Sequence, residues 1–160
     1  MKNRIAKKVC AAALAGLMTM ALVPTSVFAA GTMTIGVTSF ADTLEPTEQY
    51  FSWVISRYGV GQGLTRFDEE GNMVPCLATE WTNSEDGKTW TFTIREGVKF
   101  SNGNDMTPEL VKASLERTIE MSNRVPEFFD IDSIEVDGQN ITFNLNRANA
   151  NMAGCLADPL

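Results

Sequence analysis

The chain has 160 residues with 13 basic and 20 acidic side chains, a net charge of −7, three cysteines and no histidine. Without histidine the usual general base of a serine or cysteine hydrolase is missing, and so is the commonest zinc ligand. The acidic balance repels nucleic-acid phosphates and anionic lipids, which excludes both as partners.

Lys2, Arg4, Lys7 and Lys8 form a basic start, residues 9–23 are apolar, and Pro24 breaks the run. Val27-Phe28-Ala29 then fits a cleavage site between Ala29 and Ala30. An apolar stretch of about 15 residues falls short of the roughly 20 that span a bilayer, so residues 1–29 read as an export leader rather than an anchor. That leader holds four of the basic residues and none of the acidic ones, which leaves −11 on residues 30–160.

A strand is expected over residues 32–37, with Ile35 and Val37 on one face. Residues 42–46 turn the chain, and residues 49–58 are aromatic and apolar enough for a short helix or a packed loop. Leu64 to Phe67 and the acidic turn at 68–72 start a hairpin leading toward Val74. Behind the Ser84-Glu85-Asp86-Gly87 turn, Trp90, Phe92 and Ile94 alternate with Thr91 and Thr93, the pattern of a half-buried strand. Val98-Lys99-Phe100 resumes the alternation as a second strand, and Ser101 to Asn104 turns again. Thr107-Pro108 supplies a capping hydroxyl and a first-turn proline for a helix to about Met121, with Val111, Leu115 and Ile119 on one stripe and Lys112 paired with Glu116. Ile134 and Val136, an Asp137-Gly138 turn, and Ile141, Phe143 and Leu145 complete a β-hairpin. The composition is that of mixed α/β structure.

No element carries reactive groups at a working spacing. Asp68-Glu69-Glu70 and Glu85-Asp86 precede glycines in turns, where adjacent carboxylates point apart and lack the ligand spacing of a calcium loop. Gly59, Gly61 and Gly63 form a GxGxG run, but no strand leads directly into it and no phosphate-binding lysine follows, so close packing of the backbone explains it better. There is no GxSxG element. Cys76 and Cys155 are far apart in sequence, and buried thiols are expected ahead of a disulfide. No cofactor and no metal site is expected.

The run WTNSEDGKTWTFTIREGVKFSNGNDMT, residues 81–107, resembles the most recognisable stretch of the extracellular solute-binding proteins of family 5, the peptide- and nickel-binding components of ABC importers. LTRFDEEGNMVPCLATEW before it, and ELVKASLERTIE and DIDSIEVDGQNITFNL after it, continue the likeness over nearly all of the sequence beyond the leader. The resemblance implies an α/β chain forming part of the first lobe of a two-lobed type II periplasmic-binding-protein fold, with the second lobe beyond Leu160. Residues 30–160 are then the N-terminal part of the solute-binding domain. It also implies a protein exported to the periplasm or the outer face of the membrane, capturing di- and oligopeptides for a membrane permease without covalent chemistry. Chelated nickel is the alternative cargo. Cys10 follows Lys7-Lys8-Val9 rather than the small-residue lipobox of lipoprotein relatives.

Two aromatic clusters border the cleft in the resembled family: Tyr50, Phe51 and Trp53, and Phe128 and Phe129 with Arg124 and Glu127 nearby. Irregular segments held by a rigid scaffold often carry binding groups, although most aromatics go to cores. Arg124 suits either a ligand carboxylate or an exposed salt bridge. Trp81, Trp90 and Phe92 alternate as a strand face and are assigned to the core. Readings of other classes are a secreted hydrolase, which needs an acid/base pair from outside this segment, and a surface adhesion module.

Overall fold

The computed structural model describes residues 51–157, residues 43–48, Thr34 and Gly36. The chain divides into two compact units, Met1–Val37 and Thr38–Leu160, and of the first only Thr34 and Gly36 are described. The leader over residues 1–29 and nearly all of the strand expected over residues 32–37 lie outside the described residues.

Within the second unit the elements run α1 (Phe51–Arg57), β1 (Thr65–Phe67), β2 (Met73–Pro75), β3 (Ala78–Asn83), β4 (Thr89–Ile94), α2 (Pro108–Met121), α3 (Val125–Phe128), β5 (Ile131–Asp137), β6 (Asn140–Leu145) and α4 (Met152–Cys155). Period-2 patterning builds the sheet. Along β4 and β6 every second residue is buried, so Trp90, Phe92 and Ile94 share one face with Ile141, Phe143 and Leu145. The two strands pair antiparallel, Trp90 opposite Phe143 and Phe92 opposite Ile141, at the centre of a sheet ordered β3-β4-β6-β5. A slip of one residue would turn this whole set outward, so the apolar pattern itself fixes the register.

Phe92 is the hub of the core. Its ring stacks with Trp81 and Trp90, both at 6.2 Å, and meets Phe143 edge-on at 5.7 Å. The opposite face is polar and half-buried. The Thr91 and Thr142 hydroxyls lie 3.0 Å apart, the Thr93 hydroxyl donates to Asn140 Oδ1 at 2.9 Å, and the Asn144 amide donates to Ser133 Oγ at 3.0 Å. Such cross-strand pairs satisfy each other without water.

The helix α2 begins as its sequence dictates, with the Thr107 hydroxyl accepting from the Leu110 N–H at 3.4 Å and Pro108 in the first turn. Val111, Leu115 and Ile119 face the core, and Lys112 meets Glu116 at 3.6 Å on the wet side. The expected second strand at Val98-Lys99-Phe100 is only an isolated bridge between Lys99 and Asp105, closed by their ion pair. The segment turns back at once, with the Phe100 N–H donating to the Asn104 carbonyl at 2.9 Å, too soon for a ladder to extend. Of strand β3 only Trp81 is expected on a strand face; a bulge between Ala78 and Glu80 breaks the alternation that would reveal the rest.

The hairpin β1-β2 is bound between the sheet and α4. The Leu64 carbonyl accepts from the Ala78 N–H at 2.8 Å, its N–H donates to the Leu156 carbonyl at 3.0 Å, and the buried Thr65 hydroxyl donates to the Ala153 carbonyl at 2.6 Å. Cys76 also donates to the Leu64 carbonyl through its N–H, and Cys76 and Cys155 are each half-buried. Both cysteines are free thiols. Burial raises the pKa of Cys155.

One long-range ion pair ties the 43–48 segment to α2. Arg117 donates from both terminal nitrogens to the Glu45 carboxylate, at 3.0 and 2.6 Å, and Thr47 adds its hydroxyl and N–H. First the Arg117 bonds and then the Thr47 bonds lower the Glu45 pKa from 4.5 to about 2. A carboxylate with a depressed folded pKa stabilises the protein above the unfolded pKa, and that stability is lost as pH falls from about 4.5 toward 2. Asp68, Asp86, Glu109 and Asp130 shift the same way, so the difference between wild type and Arg117→Ala isolates Glu45. Urea titrations are expected to show Arg117→Ala less stable than wild type at neutral pH, with the gap closing as pH falls toward 2. A gap that persists unchanged at the acid end would show that the pair contributes nothing through charge.

Candidate functional site

The helix α1 is seven residues long, and Ser52 and Ile55, three apart, are its buried face. Phe51 and Trp53 are two residues apart, about 200° around the helix, so they cannot serve one surface. Both are half-buried. Tyr50 lies outside the described residues.

Trp53 meets the segment that follows α2. Ser122 ends that helix with its N–H on the Thr118 carbonyl, and its own hydroxyl accepts from the Arg124 N–H at 3.3 Å. Arg124 then precedes the one-turn helix α3, whose Pro126 stands where a helix tolerates proline. This path sends the Arg124 guanidinium between two rings. Its Cζ lies 4.9 Å from the centre of the Trp53 ring and 5.4 Å from that of Phe128. One terminal nitrogen donates to the buried Ser52 hydroxyl at 3.4 Å. Attraction to the ring faces holds the cation over both aromatics.

The remaining candidates on the α3 side adjoin this cluster through Phe128, whose ring lies 6.5 Å from that of Phe129 and which borders the same depression as Glu127. Phe129 is 6% exposed and packs in the main core with Phe143 and Val125. Glu127 is exposed. It borders an open, polar depression of about 340 Å³ shared with Asp130, Arg147, Asn149 and Cys155. There the Arg147 Nε donates to Asp130 at 2.7 Å and the Asn149 amide donates to the Phe128 carbonyl at 3.0 Å. The Asn146 amide and then Arg147 lower the Asp130 pKa. Trp53, Arg124 and Phe128 thus meet in one cluster, Phe128 links it to Phe129 and Glu127, and Ser52, which the sequence did not single out, joins it. Its only signal was a small polar residue on the apolar face of a short helix.

A second, apolar cavity of about 220 Å³ lies beneath α2, with Leu64, Val111, Leu115, Phe129 and Phe143 in its wall and Pro46 at its margin. Among the described residues no group of three or more His, Cys, Asp or Glu side chains is placed to hold a metal ion, and no helix is long and apolar enough to cross a membrane.

The family pattern described as bacterial extracellular solute-binding proteins, family 5, middle region, matches residues 72–160, from the β1-β2 turn through both central strands. The chain belongs to that family. Its fold is accordingly part of the first lobe of a type II periplasmic-binding protein, mixing helices with, in the described residues, antiparallel sheets. Among family 5 relatives, the glutathione-binding protein of Escherichia coli is 34% identical over 110 residues, 68% of this chain and 21% of its own length. The nickel ABC transporter protein of Bacillus halodurans superposes with a TM-score of 0.63 at 37% identity, over 68% of this chain and 23% of that one. The substrate-binding domain of an oligopeptide ABC transporter from Bacillus anthracis gives a TM-score of 0.55 at 26% identity, over 61% and 23%. The chain therefore spans about a fifth of the length of the relatives it matches. These family 5 relatives are named for what they bind or transport.

Proposed function

We propose that the protein is the solute-capturing component of an ABC importer, exported behind a leader over residues 1–29 and carrying its solute-binding segment in residues 30–160. It would hold a small solute by hydrogen bonds and ring contacts and hand it to a membrane permease, with no catalytic step. Di- and oligopeptides are the cargo this reading favours. The observation that carries it is the Arg124 guanidinium stacked between Trp53 and Phe128, a planar fork of N–H donors matched to a carboxylate. A peptide C-terminus presents such a group, and the relatives named for glutathione and for oligopeptides support the choice.

Chelated nickel is the second reading, supported by the nickel transporter protein from Bacillus halodurans. Organic chelators also carry carboxylates, so Arg124 would serve in either case. Tyr50 and Glu127 stay in the proposal as neighbours of the bound solute, whereas Phe51 lies about 200° around α1 from Trp53 and Phe129 packs in the core.

Calorimetry of the full-length protein with a dipeptide and oligopeptide panel, and with nickel in the presence of small carboxylate chelators, tests both readings. Peptide binding is expected, and Arg124→Ala is expected to weaken it by about 2 kcal/mol, roughly thirtyfold in Kd. Arg124→Lys should recover little, since a point charge cannot reproduce the stacked fork. A variant that binds as tightly as wild type removes Arg124 from the site. Hydrolysis of the peptide panel by the wild-type protein would favour a secreted hydrolase instead.

A further inference from the structure

We propose that Asn102 is a site of spontaneous deamidation built into the turn between Lys99 and Asp105. It is the only asparagine of the sequence followed by glycine. The turn is closed at its base by the Lys99–Asp105 ion pair and by the Met106 N–H donating to the Val98 carbonyl at 2.9 Å. At its tip Asn102, exposed, accepts through Oδ1 from the Asn104 N–H at 2.9 Å. That bond turns the Asn102 amide toward the residues that follow it. Gly103 stands at φ +87° with open space where a Cβ would be, so no side chain shields the approach.

The reaction needs only water. The Gly103 nitrogen attacks Asn102 Cγ and forms a new C–N bond, while the bond from Cγ to Nδ2 breaks. The proton released from the Gly103 nitrogen goes to Nδ2, which leaves as ammonia. Water then opens the cyclic imide at one of its two carbonyls, giving aspartate or isoaspartate. One contact restrains the step: the Gly103 N–H donates to the Phe100 carbonyl at 2.9 Å and must leave it before attack. The rate is therefore set by opening of this turn. Isoaspartate inserts a methylene into the backbone beside Phe100, a residue 43% exposed that also lines the apolar cavity under α2, so the change alters the margin of that cavity.

The test is to hold the purified full-length protein in mildly alkaline buffer at physiological temperature and follow residues 100–112 by peptide mapping, with isoaspartate-specific labelling. Asn102 is expected to convert about tenfold or more faster than any other asparagine. Gly103→Ala should suppress the conversion, and Lys99→Ala, which frees the base of the turn, should accelerate it. An intact Asn102 amide after other asparagines have converted overturns the site. A rate unchanged in Lys99→Ala overturns the role of turn opening, and a rate unchanged in Gly103→Ala overturns the chemistry.

Discussion

Phe92→Ala is expected to lower stability by about 4 kcal/mol, the middle of the range for removing a buried ring. The ring is fully buried, and three other aromatics lose their partner with it: Trp81 and Trp90 along its faces and Phe143 at its edge. Its neighbours on β4 and β6 are held by the ladder and cannot close the void without moving the sheet. A domain of this size has about 5–15 kcal/mol in total, so the variant should stand near the edge of folding. Urea titration should show the midpoint falling with little change in slope. Phe92→Leu separates volume from ring contact, and should recover about half of the loss. A Phe92→Ala loss below about 1 kcal/mol would mean that the core refills, and that Phe92 is not its hub.

Gly63→Ala is expected to cost about 3 kcal/mol, at the upper end for overpacking. A Cβ at this position would lie 2.4 Å from the Leu156 carbonyl oxygen and 3.1 Å from those of Ala157 and Thr65. All three are backbone atoms, so the strain cannot be relieved by a side-chain rotation. Relief requires α4 to withdraw from β1, which breaks the Leu64 to Leu156 and Thr65 to Ala153 hydrogen bonds. Hydrogen exchange should therefore show Leu64 losing protection ahead of the central strands. Gly154→Ala is the matched control. The atoms nearest its Cβ would all belong to the Asn151 side chain, which can turn aside, so a small effect is expected there.

Much of this architecture is legible in the residues. The Thr-aromatic alternation of β4, the β5-β6 hairpin around Asp137-Gly138, the β1-β2 turn and the capped helix α2 each carry a local signal, and each stands where that signal places it. Local signals fail where the structure answers to distant partners. Strand β3 has only Ala78 fully buried, and its bulge shifts the phase, so its pairing with β4 rather than its own pattern makes it a strand. The Val98 to Phe100 alternation is genuine, but among the described residues no second strand lies alongside it to accept a ladder.

The candidate site shows the same division. Aromatic content singles out Trp53 and Phe128, and charge singles out Arg124, yet their stack joins residues about seventy positions apart. Helical geometry then separates Phe51 from Trp53, and burial draws Phe129 into the core, outcomes that composition alone does not encode. Glu45 and Arg117 form another such long-range pair, and each alone reads as an ordinary surface charge.

Strand β4 sits in mid-sheet, yet its inner neighbour β6 emerges about 50 residues later in the sequence. At a synthesis rate of about 5–20 residues per second, the Thr-Trp-Thr-Phe-Thr-Ile edge waits some 3–10 s without that partner. It is rich in β-formers and carries no charge, the makeup of an aggregation-prone segment. A nascent polypeptide of this kind has most to gain from a chaperone that covers the edge until its partner strand arrives.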